Sequence, residues 1–468
     1  MKQLSIFGLL VLILSGCNIQ KTEKSNCEFL TNIPDGQIQC GTLEVPENYK
    51  NPQGKSITIA YAILKAEHAT SKYPVIHLAG GPGGEALYDL NRWIDNPIRE
   101  ERDFIVFDQR GVGYSSPLPD IRQGIFGILA ANLSIEEEYS QVYDTMQRYQ
   151  QIAIEKGIAF DNYTTINNAA DVNSLMQHLG YEKYVLYGES YGTRLARFVM
   201  DQFPERINSV ILDSPATLEK DFLSMRLVNF SEALEKLFVF CENDESCNIQ
   251  YPNIREDYIE SIEALAKNPI EATIAGQSFF INPQDAIYLL RYQLYGSDAK
   301  TSTFSFINAL KVRDTAVINA SNEFLVNVIE KGNLSMFITT ERYEEYDETL
   351  TELQFDSLYK NLPHLPSKLA LFSSTHKGAK EWLSKTITPE EKTYGVLSIP
   401  TLIFVNQFDP VTPPQNIYVF EKSLKNAHLF VLDLTGHGVS SGCETRVMIN
   451  FMNTPDGPFD SECLTLLK

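Results

Sequence analysis

Positive charge is scarce in this sequence. Its 39 lysine and arginine residues face 60 aspartate and glutamate residues, so that the formal net charge is −21. Binding to the phosphate backbone of a nucleic acid depends on clustered basic side chains, and the sequence contains no such cluster. We therefore expect no nucleic-acid partner.

Metal and nucleotide signatures are also missing. No two cysteines have zinc-finger spacing, and the seven histidines are scattered along the chain, so no metal site is predicted. The glycine-rich stretch at residues 79–84 is not followed by a Walker lysine, and GxGxxG spacing is absent. These absences exclude nucleotide binding, and we expect no cofactor.

Repeats and membrane helices are not indicated either. The chain has no internal repeat or low-complexity tract and, beyond the amino terminus, no apolar run long enough to span a bilayer. Hydrophobic residues make up 43% of the sequence, which is typical of a globular enzyme with a large core.

The amino terminus has the pattern of an export signal. Lys2 precedes an apolar run at residues 4–14, which ends in Leu14-Ser15-Gly16-Cys17. This resembles a bacterial lipoprotein signal. The resemblance implies a signal peptide at residues 1–16, a lipid on Cys17 and a tether at residues 17–26, so that the protein is exported and held on a bacterial membrane. The alternative is an ordinary secretory signal.

Cysteine usage agrees with export. Apart from Cys17, six cysteines remain, and an even number in an exported chain indicates disulfides. Proximity in sequence favours Cys27 with Cys40, Cys241 with Cys247, and Cys443 with Cys463. Fifteen pairings are possible for six cysteines, and locality alone selects these three.

Strand-like and helical patterns alternate along the chain. Strands are predicted at residues 37–45, 56–64, 73–78, 104–107, 185–187, 209–212, 401–405 and 429–432, and helices at residues 136–156 and 168–179. The first two strands are expected to form a hairpin. Alternation of this kind predicts an α/β fold with a mostly parallel sheet that is covered on both faces.

The pattern becomes helical between the sixth and seventh predicted strands. Amphipathic stretches occur at residues 222–240, 255–266 and 283–295, and the strands then resume. An inserted helical cap at residues 216–397 explains this, with the sheet domain divided into residues 27–215 and 398–468. An independent helical domain is the alternative.

A serine lies at a predicted strand-to-helix turn. Ser190 stands in Gly188-Glu189-Ser190-Tyr191-Gly192, directly after a short apolar run. Small residues on both sides of a serine at such a turn are typical of a nucleophile elbow, where the backbone is strained and the hydroxyl is exposed above the sheet. Ser190 is the candidate nucleophile.

A neutral serine needs a base, and the base needs a carboxylate to orient it. His437 lies between Gly436 and Gly438, after the last predicted strand, and is the candidate base. Asp409 follows the preceding strand, where the acid of such a triad belongs. Asp213 and Asp433 are its competitors.

An oxyanion formed during acyl transfer requires preorganised amide donors. The loop Ala79-Gly80-Gly81-Pro82-Gly83-Gly84 can supply one of them. The backbone N–H groups of Gly81 and Tyr191 are the candidate oxyanion hole. Plain loop chemistry is the alternative role for the glycines.

Several motifs together resemble the tripeptidyl and prolyl aminopeptidase group of α/β-hydrolases. They are CGTLEVP at residues 40–46, GGPGG at 80–84, DQRGVGYS at 108–115, GESYGT at 188–193, DPVTP at 409–413 and GHGV at 436–439. The resemblance implies an α/β-hydrolase fold with a helical cap, and a serine exopeptidase that releases residues from the free amino end of short peptides. It also implies that Asp108 and Arg110 hold the loop beside the site.

An aminopeptidase must bind an ammonium group, for which a buried carboxylate is suited. Residues 335–341 resemble a cap motif of the family and make Glu341 a candidate, although Thr339 stands where the family has cysteine. Glu189 is a second candidate. Serine carboxypeptidases also carry a GESY elbow, so that a carboxypeptidase remains an alternative, as do an esterase and a non-catalytic surface-binding lipoprotein.

Overall fold

The computed structural model describes residue 27 and residues 38–68, 71–218, 222–296, 298–322, 325–326, 331–383, 385–433, 436–438 and 442–465. The predicted signal peptide, the tether and Cys17 lie outside the described residues.

The core of the molecule is an eight-stranded sheet with the order β1-β2-β4-β3-β5-β6-β9-β10. The strands are β1 (Ile38–Pro46), β2 (Ser56–Leu64), β3 (Val75–Leu78), β4 (Phe104–Phe107), β5 (Tyr184–Glu189), β6 (Ile207–Asp213), β9 (Thr401–Asn406) and β10 (Ala427–Leu432). The first two strands form an antiparallel hairpin and β2 pairs antiparallel with β4, whereas the remaining neighbours are parallel. The predicted α/β fold is confirmed.

Helices cover both faces of the sheet. They include α3 (Thr165–His178) and α4 (Tyr191–Gln202) on one face and α15 (Gly442–Asn453) on the other. Alternate residues of a strand point to opposite faces: Ile76 packs in one buried cluster with Leu195 of α4, whereas Val75 packs in another with Phe451 of α15. Since both faces are buried, the central strands are apolar throughout.

A second group of elements lies between β6 and β9 in the chain. It comprises α5 (Phe222–Asn243), α6 (Glu245–Gln250), α7 (Ile254–Leu265), α8 (Pro283–Gln293), α9 (Ala299–Val312), α10 (Thr315–Ala320), α11 (Leu334–Glu344), α12 (Glu352–Asn361) and α13 (Ala370–Ala379). Because β6 and β9 are neighbours in the sheet, this insertion leaves the sheet continuous. We call the inserted elements the cap.

The cap contains an antiparallel hairpin that the sequence pattern did not predict. Its strands are β7 (Ile270–Ile274) and β8 (Gln277–Ile281). The two turn residues, Ala275 and Gly276, both have positive φ angles, as a two-residue hairpin turn of the favoured twist requires. Residues 270–281 alternate between buried and exposed positions for most of their length. This period of two is typical of a strand, and the helical interpretation of the insertion overlooked it.

Two helices that precede Ser190 pack on the cap. They are α1 (Arg122–Ala130) and α2 (Ile135–Glu155), and their buried residues share one hydrophobic cluster with the cap helices. Met146 of α2 contacts Gly378 of α13 so closely that a Cβ at residue 378 would collide with its sulfur. The hydrophobic cluster of the cap therefore also contains residues of α1 and α2.

The remaining helices are α14 (Tyr418–Lys422) and α16 (Glu462–Thr465). Disulfides join Cys27 to Cys40, Cys241 to Cys247, and Cys443 to Cys463, which are the three pairs predicted from proximity. Within the described part of the chain, no helix has both the length and the apolar character needed to cross a bilayer.

Candidate active site

Ser190 lies at the tight turn between β5 and α4. Its φ of 52° and ψ of −121° are unfavourable for a residue with a side chain. A Cβ at Gly188 would overlap the backbone of Gly192, and a Cβ at Gly192 would overlap the carbonyl oxygen of Leu78. The strand and the helix therefore approach so closely that only glycine fits on either side of Ser190.

Asp409, which is buried, and His437, which is partly buried, form a hydrogen-bonded pair. His437 Nδ1 lies 2.8 Å from Asp409 Oδ2, and the backbone N–H groups of Val411 and Thr412 donate to Asp409 Oδ1 over 2.7 and 2.8 Å. Burial alone would raise the pKa of Asp409, but His437 and the donated hydrogen bonds hold that pKa below its ordinary value. An ionised Asp409 favours the Nδ1–H tautomer of His437, which leaves the lone pair of Nε2 available to accept a proton.

Thr412 supports this pair, a role that the sequence motif did not reveal. Its hydroxyl lies 2.7 Å from Asp409 Oδ2 and 3.3 Å from His437 Nδ1. Asp409 accepts hydrogen bonds from the backbone N–H groups two and three residues later, which is typical of an Asx turn. The Asp-x-x-Thr spacing at residues 409–412 was the sequence signal that could have identified Thr412.

The competing carboxylates have other surroundings. Asp213 Oδ1 accepts a hydrogen bond from Ser214, and Asp433 is exposed. Asp409 is the carboxylate that contacts the ring of His437.

Short contacts bring the three chain segments together at the carboxyl ends of β5, β6 and β9. The Ser190 N–H donates to the carbonyl of Asp213 over 2.8 Å. The next residue, Ser214, accepts from the Gly438 N–H over 3.0 Å, and its carbonyl lies 3.1 Å from the Thr412 hydroxyl. Within the described residues no hydrogen bond joins Ser190 to His437; such bonds often tighten only when substrate is present.

The glycine-rich loop passes beside Ser190. A Cβ at Gly80 would lie 3.0 Å from the Cβ of Ser190, and Gln109 Nε2 holds the loop by donating to the carbonyl of Ala79 over 2.9 Å. Gly81 has a φ of 122°, which glycine tolerates. Tyr191 is the first residue of α4, and its hydroxyl is anchored 2.7 Å from that of Thr165.

Asp108 and Arg110 brace the neighbouring segment. Asp108 accepts hydrogen bonds from the N–H groups of Leu87 and Tyr114, and burial raises its pKa to about 7. Arg110 makes two bonds of 2.7 Å to Asp171. These contacts are internal to the fold, as expected for residues that hold a loop.

Three cap helices rest on the loops of this site. Asn229 of α5 donates to the carbonyl of Val411 over 2.8 Å, beside Asp409. The Gly436 N–H donates to the carbonyl of Gly296, just after α8, over 3.1 Å, and Asn333, just before α11, donates to the carbonyl of Gly83 over 2.8 Å. The cap therefore covers the loop of Asp409, the loop of His437 and the glycine-rich loop.

Glu341 lies in a buried carboxylate cluster on α11. Arg194 of α4 lies 3.1 Å from Glu344 and 2.5 Å from Glu345, but 3.7 Å from Glu341. Both oxygens of Glu341 are buried and have no donor within the described part of the chain when every carboxyl group is ionised, whereas a protonated Glu345 hydrogen-bonds to Glu341. Burial raises the pKa of Glu345 well above its ordinary value against the opposing effect of Arg194, and the charge of Glu341 adds to the shift. The guanidinium of Arg194 is thus shared among three carboxylates, and the charge of Glu341 also acts on Arg226 of α5.

Glu189, the second predicted substrate ligand, is already paired within the protein. Its carboxylate forms an ion pair with Arg92 and lies 3.2 Å from Nε2 of His77, whose pKa is lowered by burial, and Tyr187 donates to it over 3.1 Å. Burial would raise the pKa of Glu189, but Arg92 and His77 outweigh this and lower it. These partners reduce its capacity to bind a substrate ammonium group. Arg92, which also stacks on Trp93, had no sequence motif to mark it.

Fold and site together define a class of protein. The profile of the alpha/beta hydrolase fold matches residues 73–440, and the chain belongs to this family.

Comparison with individual proteins shows which members of this family the chain resembles. The chain is 29% identical over 209 residues to the tripeptidyl aminopeptidase of Streptomyces lividans, which covers 42% of this chain and 38% of that protein. It is 27% identical over 227 residues to the serine protease Hip1 of Mycobacterium tuberculosis, covering 46% and 43%. It is 24% identical over 148 residues to the proline iminopeptidase of Arabidopsis thaliana, covering 32% and 28%. The matched region thus spans less than half of each relative, and the predicted resemblance to this group is confirmed.

Proposed function

We propose that the protein is a serine aminopeptidase that releases residues from the free amino end of short peptides. The observation that carries the proposal is the buried carboxylate of Glu341, whose ion pair with Arg194 at 3.7 Å is shared with Glu344 and Glu345. A carboxylate excluded from water binds a cation strongly. A substrate ammonium group supplies that cation.

The mechanism follows from the arrangement of the site. His437 Nε2 takes the proton of Ser190, whose oxygen attacks the scissile carbonyl, and the N–H groups of Gly81 and Tyr191 stabilise the oxyanion. His437 then gives the proton to the leaving amine as the C–N bond breaks, which leaves an acyl-enzyme. Water, deprotonated by His437, attacks the acyl group and restores Ser190.

The test of the proposal compares a tripeptidyl chromogenic amide with its amino-acetylated form. We expect cleavage of the free amine and roughly tenfold or greater loss on acetylation, because a charged hydrogen bond is removed. Glu341→Gln should raise KM for the free amine, whereas Glu263→Gln, an exposed position on α7, should not. Equal cleavage of both forms would favour an esterase or endopeptidase, and dependence on a free carboxyl end without a free amine would favour a carboxypeptidase.

We further propose that the enzyme acts at the bacterial cell envelope through a lipid on Cys17. Three disulfides support the export part of this proposal, because such bonds persist in oxidising compartments. Cys17→Ser should move the protein from the membrane fraction to the soluble fraction of the envelope and prevent labelling with radioactive palmitate. Unchanged membrane association of this variant would contradict the anchor.

A further inference from the structure

Arg291 is a buried cation in which two nitrogen atoms lack a hydrogen-bond acceptor. It lies on α8 with 2% of its surface exposed, and its Nε and Nη2 make no hydrogen bond within the described residues. Leaving a buried charged donor unsatisfied is strongly unfavourable, and buried polar groups are normally paired. An arginine in this state indicates a site for an anion.

The position of Arg291 connects it to the candidate base. Its guanidinium carbon lies 5.2 Å from the ring centre of Tyr295, and the ring of Tyr295 packs edge-on against His437 at 5.2 Å. The contact between Gly436 and Gly296 fixes the end of α8 against the His437 loop. One aromatic ring therefore separates Arg291 from the base that protonates the leaving amine.

Arg226 adds a second positive charge under the cap. It lies on α5, one helical turn before Asn229, which bonds the Asp409 loop, and it stacks over Phe337 of α11 at 4.5 Å. Burial lowers the pKa of Arg226 to about 10; the charge of Arg291 contributes to the shift, whereas Tyr295 and Glu341 oppose it. Two guanidinium groups that repel each other are stabilised by an anion placed between them.

We propose that Arg291, assisted by Arg226, binds the free carboxylate at the carboxyl end of a short peptide substrate. The leaving fragment must have its new amino group within reach of His437, and the carboxylate of a short fragment then lies on the same side of the cap. Guanidinium groups match a carboxylate in charge and in planar geometry. The proposal rests on the aminopeptidase function proposed above and adds that both ends of the peptide are recognised.

The experiment uses tetraalanine and its carboxyl-terminal amide. With wild-type protein we expect kcat/KM for the free acid to exceed that for the amide by about tenfold or more, since a charge-assisted hydrogen bond is lost in the amide. Arg291→Gln should bring the ratio close to one, mainly through KM, and Arg291→Lys should leave an intermediate ratio. Arg255→Gln removes an arginine of α7 that pairs with Glu235 and Glu242 on the cap surface and should keep the wild-type ratio.

The possible results distinguish a failure of the proposed carboxylate site from a failure of the proposed aminopeptidase activity. Equal cleavage of acid and amide by the wild type, with a continued need for a free amine, would overturn the carboxylate site and leave the aminopeptidase intact. If the wild type cleaves neither peptide, the proposed aminopeptidase activity is wrong. Calorimetric titration of the Ser190→Ala protein with the acid and with the amide then decides whether the carboxylate site exists. Tighter binding of the acid that is lost on adding Arg291→Gln supports the carboxylate site, whereas equal or absent binding overturns it.

Discussion

Ser190 is held in a backbone conformation that few side chains adopt, at a point where strand, helix and glycine-rich loop converge. We expect Ser190→Ala to lower kcat by at least about 10⁴-fold, because the nucleophile of a triad contributes most of the covalent route. The folded structure should be unchanged, since alanine removes one oxygen. Peptide turnover and circular dichroism of the purified variant measure the two effects. A folded variant that kept the wild-type rate would disprove the nucleophile.

Thr412 places its hydroxyl between Asp409 and His437. We expect Thr412→Val, which conserves shape, to lower kcat roughly tenfold with little change in KM, because a hydrogen bond to a charged group is lost while two backbone donors to Asp409 remain. Thr412→Ser retains the hydroxyl and should stay within about twofold of the wild type. If Thr412→Ser lost as much activity as Thr412→Val, the hydrogen bonds of the hydroxyl would not explain the loss.

The packing of α4 on the sheet depends on Gly192. A methyl group at this position would overlap the carbonyl oxygen of Leu78 on β3, and overpacking a rigid contact costs about 1–3 kcal/mol or more. We expect Gly192→Ala to lower the free energy of unfolding by at least that amount and to abolish activity, as measured by urea denaturation and peptide hydrolysis.

Gly127 provides the matched control. It lies on the exposed side of α1, and a Cβ there would meet nothing within 4 Å. Gly127→Ala should raise stability by about 0.5–1 kcal/mol, because alanine favours the helix. A Gly192→Ala variant as stable as this control would show that the strand and helix can move apart.

The elements that carry the candidate triad were accessible from sequence because each signal is local. Ser190, Asp409 and His437 each follow a short apolar strand, and parallel strands bring their carboxyl ends to one edge of the sheet. The ion pairs between α4 and the cap could not be predicted from local sequence signals. Arg194 and Glu344 are separated by 150 positions, and no periodic pattern specifies which buried charges on distant helices will meet. The hairpin β7–β8 was overlooked because a helical interpretation was applied to the whole insertion.

Arg194 joins the sheet domain to the cap. It lies on α4, and its guanidinium contacts Glu341 and Glu344 of α11 and Glu345 just after that helix. The buried carboxyl groups of Glu344 and Glu345 have raised pKa values because of burial, and Arg194 opposes that shift. Its removal should therefore affect the stability of the whole molecule, and the effect should depend on pH.

We expect Arg194→Met to lower the free energy of unfolding by about 3–5 kcal/mol at pH 8, because buried carboxylates lose their counter-ion. Without Arg194 the pKa of each carboxyl rises further in the folded state, so that the folded protein binds more protons than the unfolded chain does. Stability then falls as pH rises from the unfolded value near 4.3 through the folded pKa. The loss should accordingly be smaller at pH 5 than at pH 8.

Urea denaturation of wild type and variant at both pH values measures this difference, with Arg255→Met as the control. Arg255 forms its ion pairs near the surface, where such pairs contribute about 0–1 kcal/mol, and its variant should lose little stability at either pH. An Arg194→Met variant with the same loss at pH 5 and pH 8 would mean that removing the guanidinium does not change the protonation of Glu344 and Glu345 between these two pH values. The electrostatic coupling that we assign to Arg194 and these two carboxyl groups would then not exist.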